Sequence, residues 1–137
     1  MGASSPQPSA VLAQLREKHR PILVFGPNLD DERMTRQRHA WVGPLPEAGI
    51  KDRELIVIEI PEQGEGRSEG RELGPAEGRE LRAQFGIAAG AFAVVLIGRD
   101  GAEKVRWADV VSAQEIFGKV DAMPMRIREV QERGGAE

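Results

Sequence analysis

The sequence predicts an α/β fold in which a mixed β-sheet of about four strands lies between helix layers, with a glycine-rich insertion. Three observations predict it. Two apolar runs, RPILVFGP from Arg20 and LIVIEI from Leu55, are separated by a segment of helical character, and a helical crossover favours parallel pairing. A second pair of runs, within FAVVLIGRDGAEKVRW from Phe92 to Trp107, turns at Asp100-Gly101, which is a hairpin signal and adds an antiparallel edge. A capped helix then follows at Ser112 and supplies another cover for the sheet.

Each element has its own cause. Val11, Leu12 and Leu15 make an apolar stripe on a short helix that ends near Pro21, because a residue preceding proline disfavours the helical region. The first strand runs into Asn28-Leu29-Asp30-Asp31-Glu32. There an amide or carboxylate caps a helix and further carboxylates meet its positive end. That helix is expected to reach about Val42, with Met34, Gln37, Trp41 and Leu45 on its core face by spacing, although Gly43-Pro44 and Pro46 break it before the last of these. LIVIEI is nearly continuous in apolar character, as suits a central strand covered on both faces.

From Pro61 to Gly78, glycine recurs at positions 66, 70, 74 and 78, and Leu73 and Ala76 are the only large or small aliphatic residues. This composition reads as a solvated, flexible insertion. Leu81 and Phe85 then share one face of a short helix from Arg79, and Gly86 is placed as its left-handed terminator. After the hairpin, Ser112 and Glu115 fit a reciprocal capping box. Ile116, Val120 and Met123 give the final helix its buried stripe until Pro124 kinks it or begins a new segment.

A chain of 137 residues suits one domain. The expected organisation is a disordered tail over 1–9, a single domain over 10–130 with the insertion at 61–78, and a disordered tail over 131–137. Aromatic residues make up only 4% of the chain, so the core is expected to be Val, Ile and Leu. A net charge of −3 argues against nucleic acid as a partner, since such binding needs a concentrated basic surface. No run of about 18 apolar residues occurs and the first ten residues lack the pattern of a secretory signal, so a soluble protein with no membrane insertion is expected. The compartment stays open, because the chain has no cysteine whose use would separate oxidising from reducing surroundings.

The order of elements is that of a thioredoxin-like domain. RPILVFGPNLDD, ELIVIEI, LRAQFGIAAGAFAVVLIGRDGAEKVRW and above all VDAMPMRIRE resemble a bacterial domain-of-unknown-function family with a thioredoxin- or peroxiredoxin-like fold, over about Arg16 to Glu129 without the insertion. That family is similar to the domain of sushi-repeat extracellular matrix proteins. The resemblance implies no secure enzymatic activity. Thioredoxins and peroxiredoxins carry their attacking thiol near the helix after the first strand. Here Phe25 to Glu32 contain no sulfur, so cysteine-dependent oxidoreductase and peroxidase chemistry is excluded.

No constellation of residues replaces the thiol. The carboxylates at 30–32 suit a helix start, and His19 and His39 have no spacing for a shared metal, so neither metal nor cofactor is expected. The candidate partner-binding surface is Met123, Pro124, Met125, Arg126 and Arg128, where adaptable thioethers flank a proline and guanidiniums project nearby. The competing reading is that the methionines fill a core gap and the arginines pair with acidic residues of the first or last helix. A secondary surface comprises Asn28, Arg99, Asp100, Lys104 and Arg106, for which an ordinary hydrated hairpin is the alternative. Two functions follow. The preferred one is a non-catalytic module that binds another protein, with homodimerisation through the hairpin edge as a further arrangement. The other is a non-thiol enzyme or small-ligand protein with a site between the Asn28 helix start and Gly86 to Phe92.

Overall fold

The computed structural model describes residues 10–68 and 71–135; the expected N-terminal tail over 1–9 lies outside the described residues. Strand β1 (Arg20–Gly26) is buried along its whole length. It pairs in parallel with β2 (Leu55–Pro61), Arg20 opposite Leu55 and Gly26 opposite Pro61. On its other side it pairs antiparallel with β5 (Ala93–Ile97), Ile22 opposite Leu96. The hairpin is completed by β6 (Glu103–Trp107), with Val94 opposite Trp107 and a register irregularity at Leu96/Ile97. These four strands form the expected mixed sheet, consistent with a thioredoxin-like α/β plan.

Two further strands correct the reading of the insertion. The segment from Pro61 to Gly78, expected as solvated chain, supplies β3 (Gly66–Ser68) and β4 (Arg71–Leu73). They extend the sheet to six strands in the order β4-β3-β2-β1-β5-β6. The reason lies in two residues. Leu73 is fully buried and joins the core, while a Cβ on Gly66 would run into the Glu59 carbonyl oxygen and the Leu73 side chain. Glycine here permits close backbone approach.

Alternation along β1 divides the core between the two faces of the sheet. Leu23 and Phe25 pack with Ile58, Ile60, Leu73, Leu81 and Phe85 beneath α1 (Ala10–Leu15) and α4 (Pro75–Phe85). Ile22 and Val24 pack with Met34, Trp41, Leu96, Ile116 and Val120 beneath α2 (Glu32–Ala40) and α5 (Ala113–Asp121). Aliphatic side chains dominate both halves.

Helix boundaries follow local chemistry. Asp31 caps α2 by accepting from the Arg33 N–H at 2.9 Å. The chain then turns at Gly43, whose φ of 128° favours glycine, and Pro44 opens α3 (Pro44–Asp52), a helix absent from the sequence reading. Leu45 is accordingly 84% exposed rather than in the core. Helix α4 starts four residues before the expected Arg79, at Pro75, and the Glu77 carboxylate accepts from the Gly74 N–H at 3.1 Å. Gly86 ends it at φ 64°, as anticipated. Ser112 caps α5 through the Glu115 N–H. The Glu115 carboxylate, however, takes the Trp107 indole N–H at 2.6 Å, so the capping box is not reciprocal. Pro124 begins a new helix, α6 (Pro124–Gly135), which continues past the expected domain end at residue 130. No helix among the described residues is long and apolar enough to cross a membrane.

Candidate functional site

At the C-terminal ends of β1 and β2, where a thioredoxin-like protein would place its thiol, polar groups hold the loops together. Glu59 in β2 accepts two hydrogen bonds from the Arg38 guanidinium, at 2.9 and 3.1 Å, and Arg38 also donates to the Leu29 carbonyl. Glu62 accepts from the Gly90 N–H at 2.7 Å, and Arg82 donates to the Ala88 carbonyl at 3.0 Å. Asn28 folds back to accept from the Asp30 N–H, and the Arg33 guanidinium stacks over Phe92 at 5.3 Å. The groups that a small ligand would need between Asn28 and Phe92 are thus largely engaged by the protein itself.

The opposite end of the sheet holds a denser cluster. Arg20, at the start of β1, is fully buried, and its Nη2 donates to Glu129 of α6 at 3.0 Å while its Nη1 donates to the Arg53 carbonyl. Glu129 also receives Arg99 Nη1 at 2.6 Å and Arg126 Nη1 at 3.5 Å. Arg126 reaches Asp52 at the end of α3 at 2.6 Å and Asp121 at 3.5 Å. Asp121 is in turn held by both nitrogens of the Arg53 fork, which stacks over Phe117 at 4.2 Å. Burial pushes the Glu129 carboxyl up, but hydrogen bonds from Arg20 and Arg99 outweigh it and hold the group below the ordinary carboxylate range. The Arg53 hydrogen bond does the same for Asp121. Burial alone would pull the Arg126 guanidinium down, yet its bond to Asp52 and the neighbouring Glu129 and Asp121 raise it.

This cluster corrects the placement of Arg126. It is buried and faces inward, tying α6 to α3 and α5, and so it is not a projecting contact residue. Met123 packs half-buried against the core. Arg128 is exposed, and Ile127 and Val130 on the same helix are 43% and 48% exposed. Pro124 and Met125 lie in the first turn of α6, with side chains outside the described residues.

The secondary surface does not assemble. Arg99 turns to Glu129 and to the Glu17 carbonyl, at the far end of the sheet from Asn28. Asp100 pairs with Lys104 at 2.8 Å and accepts from the Ala102 N–H; the lysine hydrogen bond holds its carboxyl below the ordinary value. Arg106 forms a two-pronged pair with Glu103 at 2.9 and 3.0 Å. These charges, with the register irregularity, are features that oppose strand addition at the β6 edge.

One concavity escaped the sequence reading. A cleft of about 500 Å³ opens between α3 and the start of β2, lined by His19, Trp41, Glu47, Lys51, Glu54 and Leu55 among others. Its wall is α3, whose start at Pro44 was obscured by the neighbouring glycine and second proline. Among the described residues no three His, Cys, Asp or Glu side chains are grouped as metal ligands.

With the ion cluster tracing Asp121, Arg126 and Glu129 to one structural lock, comparison with known proteins gives this lock a wider setting. A family model described as "Domain of unknown function (DUF4174)" matches residues 11–129. The chain belongs to the DUF4174 family. It is also similar to the sushi repeat-containing protein SRPX of Rattus norvegicus, 28% identical over 127 residues. That similarity covers 89% of this chain but 26% of the rat protein, so the chain spans about a quarter of its relative's length. The last residue of the DUF4174 match, Glu129, is the carboxylate on which three arginines converge.

Proposed function

We propose that this DUF4174 domain is a non-catalytic protein-binding module whose contact face is the outer side of α6, following the Met123, Pro124 and Met125 turn. The observation that carries the reading is the division of labour on that helix. Arg126 and Glu129 anchor it inward, while Ile127, Arg128 and Val130 are left outward on a helix with a fixed orientation. A pre-oriented helix face combining aliphatic groups with a guanidinium suits a protein partner, because little ordering cost remains to be met on binding. The internal engagement of polar groups around Asn28, Glu62 and Gly90 favours this over chemistry at the other end of the sheet. The rat relative is named for sushi repeats and is much longer than the matched segment, so there the segment shares a chain with other parts.

The test is cross-linked capture by the wild type, followed by titration of the captured protein, once purified, against an Ile127→Asp, Arg128→Ala, Val130→Asp variant. Arg126 is left intact so that the helix stays anchored. Binding by the wild type and its loss in a folded variant supports the reading; equal binding by both overturns α6 as the contact face.

A further inference from the structure

Among the described side chains, α6 is held to the body by charge rather than by apolar packing. None of them belongs to either half of the core, and Ile127 and Val130 are 43% and 48% exposed. The preceding helix differs, since α5 buries Ile116 and Val120 almost completely. In place of aliphatic anchors α6 has Arg126, paired with Asp52 and Asp121 at 2.6 and 3.5 Å, and Glu129, paired with Arg20 and Arg99 at 3.0 and 2.6 Å. These pairs carry a cost. Arg20 Nε and Arg126 Nε are buried without a hydrogen-bond partner among the described residues, so part of the hydration of those guanidiniums is not replaced.

Departure of the helix would strand few charges on the body. Arg20 keeps the Arg53 carbonyl, Arg99 keeps the Glu17 carbonyl and Glu54 at 4.0 Å, and Asp121 keeps both nitrogens of the Arg53 fork. The Asp52 side chain is 46% exposed and already meets water. Only Ala122 and Met123 join α5 to α6, and Pro124 interrupts the helical path between them. Once detached, the 12 residues of α6 would not stay helical, because isolated helices shorter than about 12–15 residues are marginal in water.

We infer that α6 is an electrostatic latch, which detaches and melts as a separate unit while the six-stranded body stays folded, and which Arg126 and Glu129 hold shut. Opening bares Arg20, fully buried in the closed state, beside Arg99. The latch operates whether or not the outer face of α6 binds a partner, so its failure leaves the binding-module reading standing.

The experiment is hydrogen exchange of individual backbone amides on the full chain, followed by nitrogen-proton correlation spectroscopy over a series of low urea concentrations. The amides of α6 from Ile127 onward are expected to open about a hundredfold more often than those of Ile22 and Val24 in β1, through a step that depends only weakly on urea. Raising sodium chloride from about 0.05 M to about 1 M is expected to increase that opening about tenfold. Glu129→Gln is expected to leave α6 more open and less sensitive to salt, with β1 still the better protected. The control is an Ile127→Ala, Val130→Ala variant, expected to change the opening less than about twofold because helix propensity rises and no core contact is lost. Exchange of α6 that matches β1 in both rate and urea dependence overturns the separate unit. A separate opening that ignores salt, or that the double alanine variant accelerates as much as Glu129→Gln does, overturns the ionic hold. A Glu129→Gln chain that cannot fold also overturns the inference, because the body is expected to stand without the latch.

Discussion

Replacing Glu129 by glutamine removes the one charge on which Arg20, Arg99 and Arg126 converge, at nearly constant volume. The cost is set by what is left behind. Arg20 is fully buried and Glu129 is its only carboxylate partner among the described residues, at 3.0 Å, with a side chain that is 21% exposed. Removing one member of a buried pair strands the other, and the partial exposure of Glu129 and the amide oxygen retained by glutamine reduce the penalty to about 3 kcal/mol. For a domain of this size that lowers the melting temperature by roughly 10 °C. The pH dependence sharpens the expectation. Because the arginines hold the Glu129 carboxyl below its ordinary 4.5, the native state keeps it ionised at pH values where the unfolded chain has begun to bind the proton. Its stabilisation is complete above the unfolded value and fades as pH falls through the depressed native one. The wild type therefore loses this contribution in acid and Glu129→Gln has none to lose. Urea unfolding followed by circular dichroism at neutral pH and at about pH 3 reads both effects. A difference below about 0.5 kcal/mol at neutral pH, or a gap that stays constant into acid, would refute the reasoning.

Three further substitutions probe other links. Gln37→Leu strands both the N–H and the carbonyl of Val111, which Gln37 holds at 2.8 and 2.7 Å in a buried setting, and is expected to cost about 2–3 kcal/mol in urea unfolding. Gly66→Ala drives a methyl group into the Glu59 carbonyl and Leu73, and is expected to destabilise by roughly 2 kcal/mol or more; neutrality in thermal unfolding would show the β2-β3 approach to be looser than described. Glu54→Gly relieves a left-handed φ of 57° at the cost of a long ion pair with Arg99 at 4.0 Å, and is expected to raise stability by about 0.5 kcal/mol by thermal unfolding; a lower melting temperature would show that the pair outweighs the backbone strain.

The readable part of the fold was the part whose signals are periodic and local. LIVIEI, the Asp100-Gly101 turn, the Gly86 terminator and the Ser112 cap each act through a few neighbouring residues. What the sequence concealed depends on distant partners. Gly66 looks like low complexity until Glu59 and Leu73 are placed beside it. Leu73 looks like an isolated aliphatic residue until β3 brings it into the core. Helix α3 was masked by a glycine and two prolines, and the cleft that it walls was hidden with it. Arg126 was half legible: pairing of the tail arginines with acidic residues was one of the two readings, and Glu129 is such a partner, but Asp52 and Asp121 come beside it only where α3, α5 and α6 meet.

The distinctive tail of this chain therefore combines two kinds of residue. Asp121, Arg126 and Glu129 close a network that also takes in Arg20 from the first strand, Asp52 and Arg53 from the end of α3, and Arg99 from the hairpin. An ion cluster linking so many elements ties α6 to the body, and although breaking a buried pair is costly, the desolvation of its charges offsets much of its net contribution to stability. Ile127, Arg128 and Val130 carry no such burden, being outward on the helix that the others position. The two sets separate experimentally: changes at the anchoring residues alter unfolding and its acid dependence, whereas changes at the outward residues leave unfolding within about 0.5 kcal/mol of the wild type and act on partner binding. An outward substitution that destabilised the fold as strongly as Glu129→Gln would break that division and, with it, the assignment of α6 as a contact face.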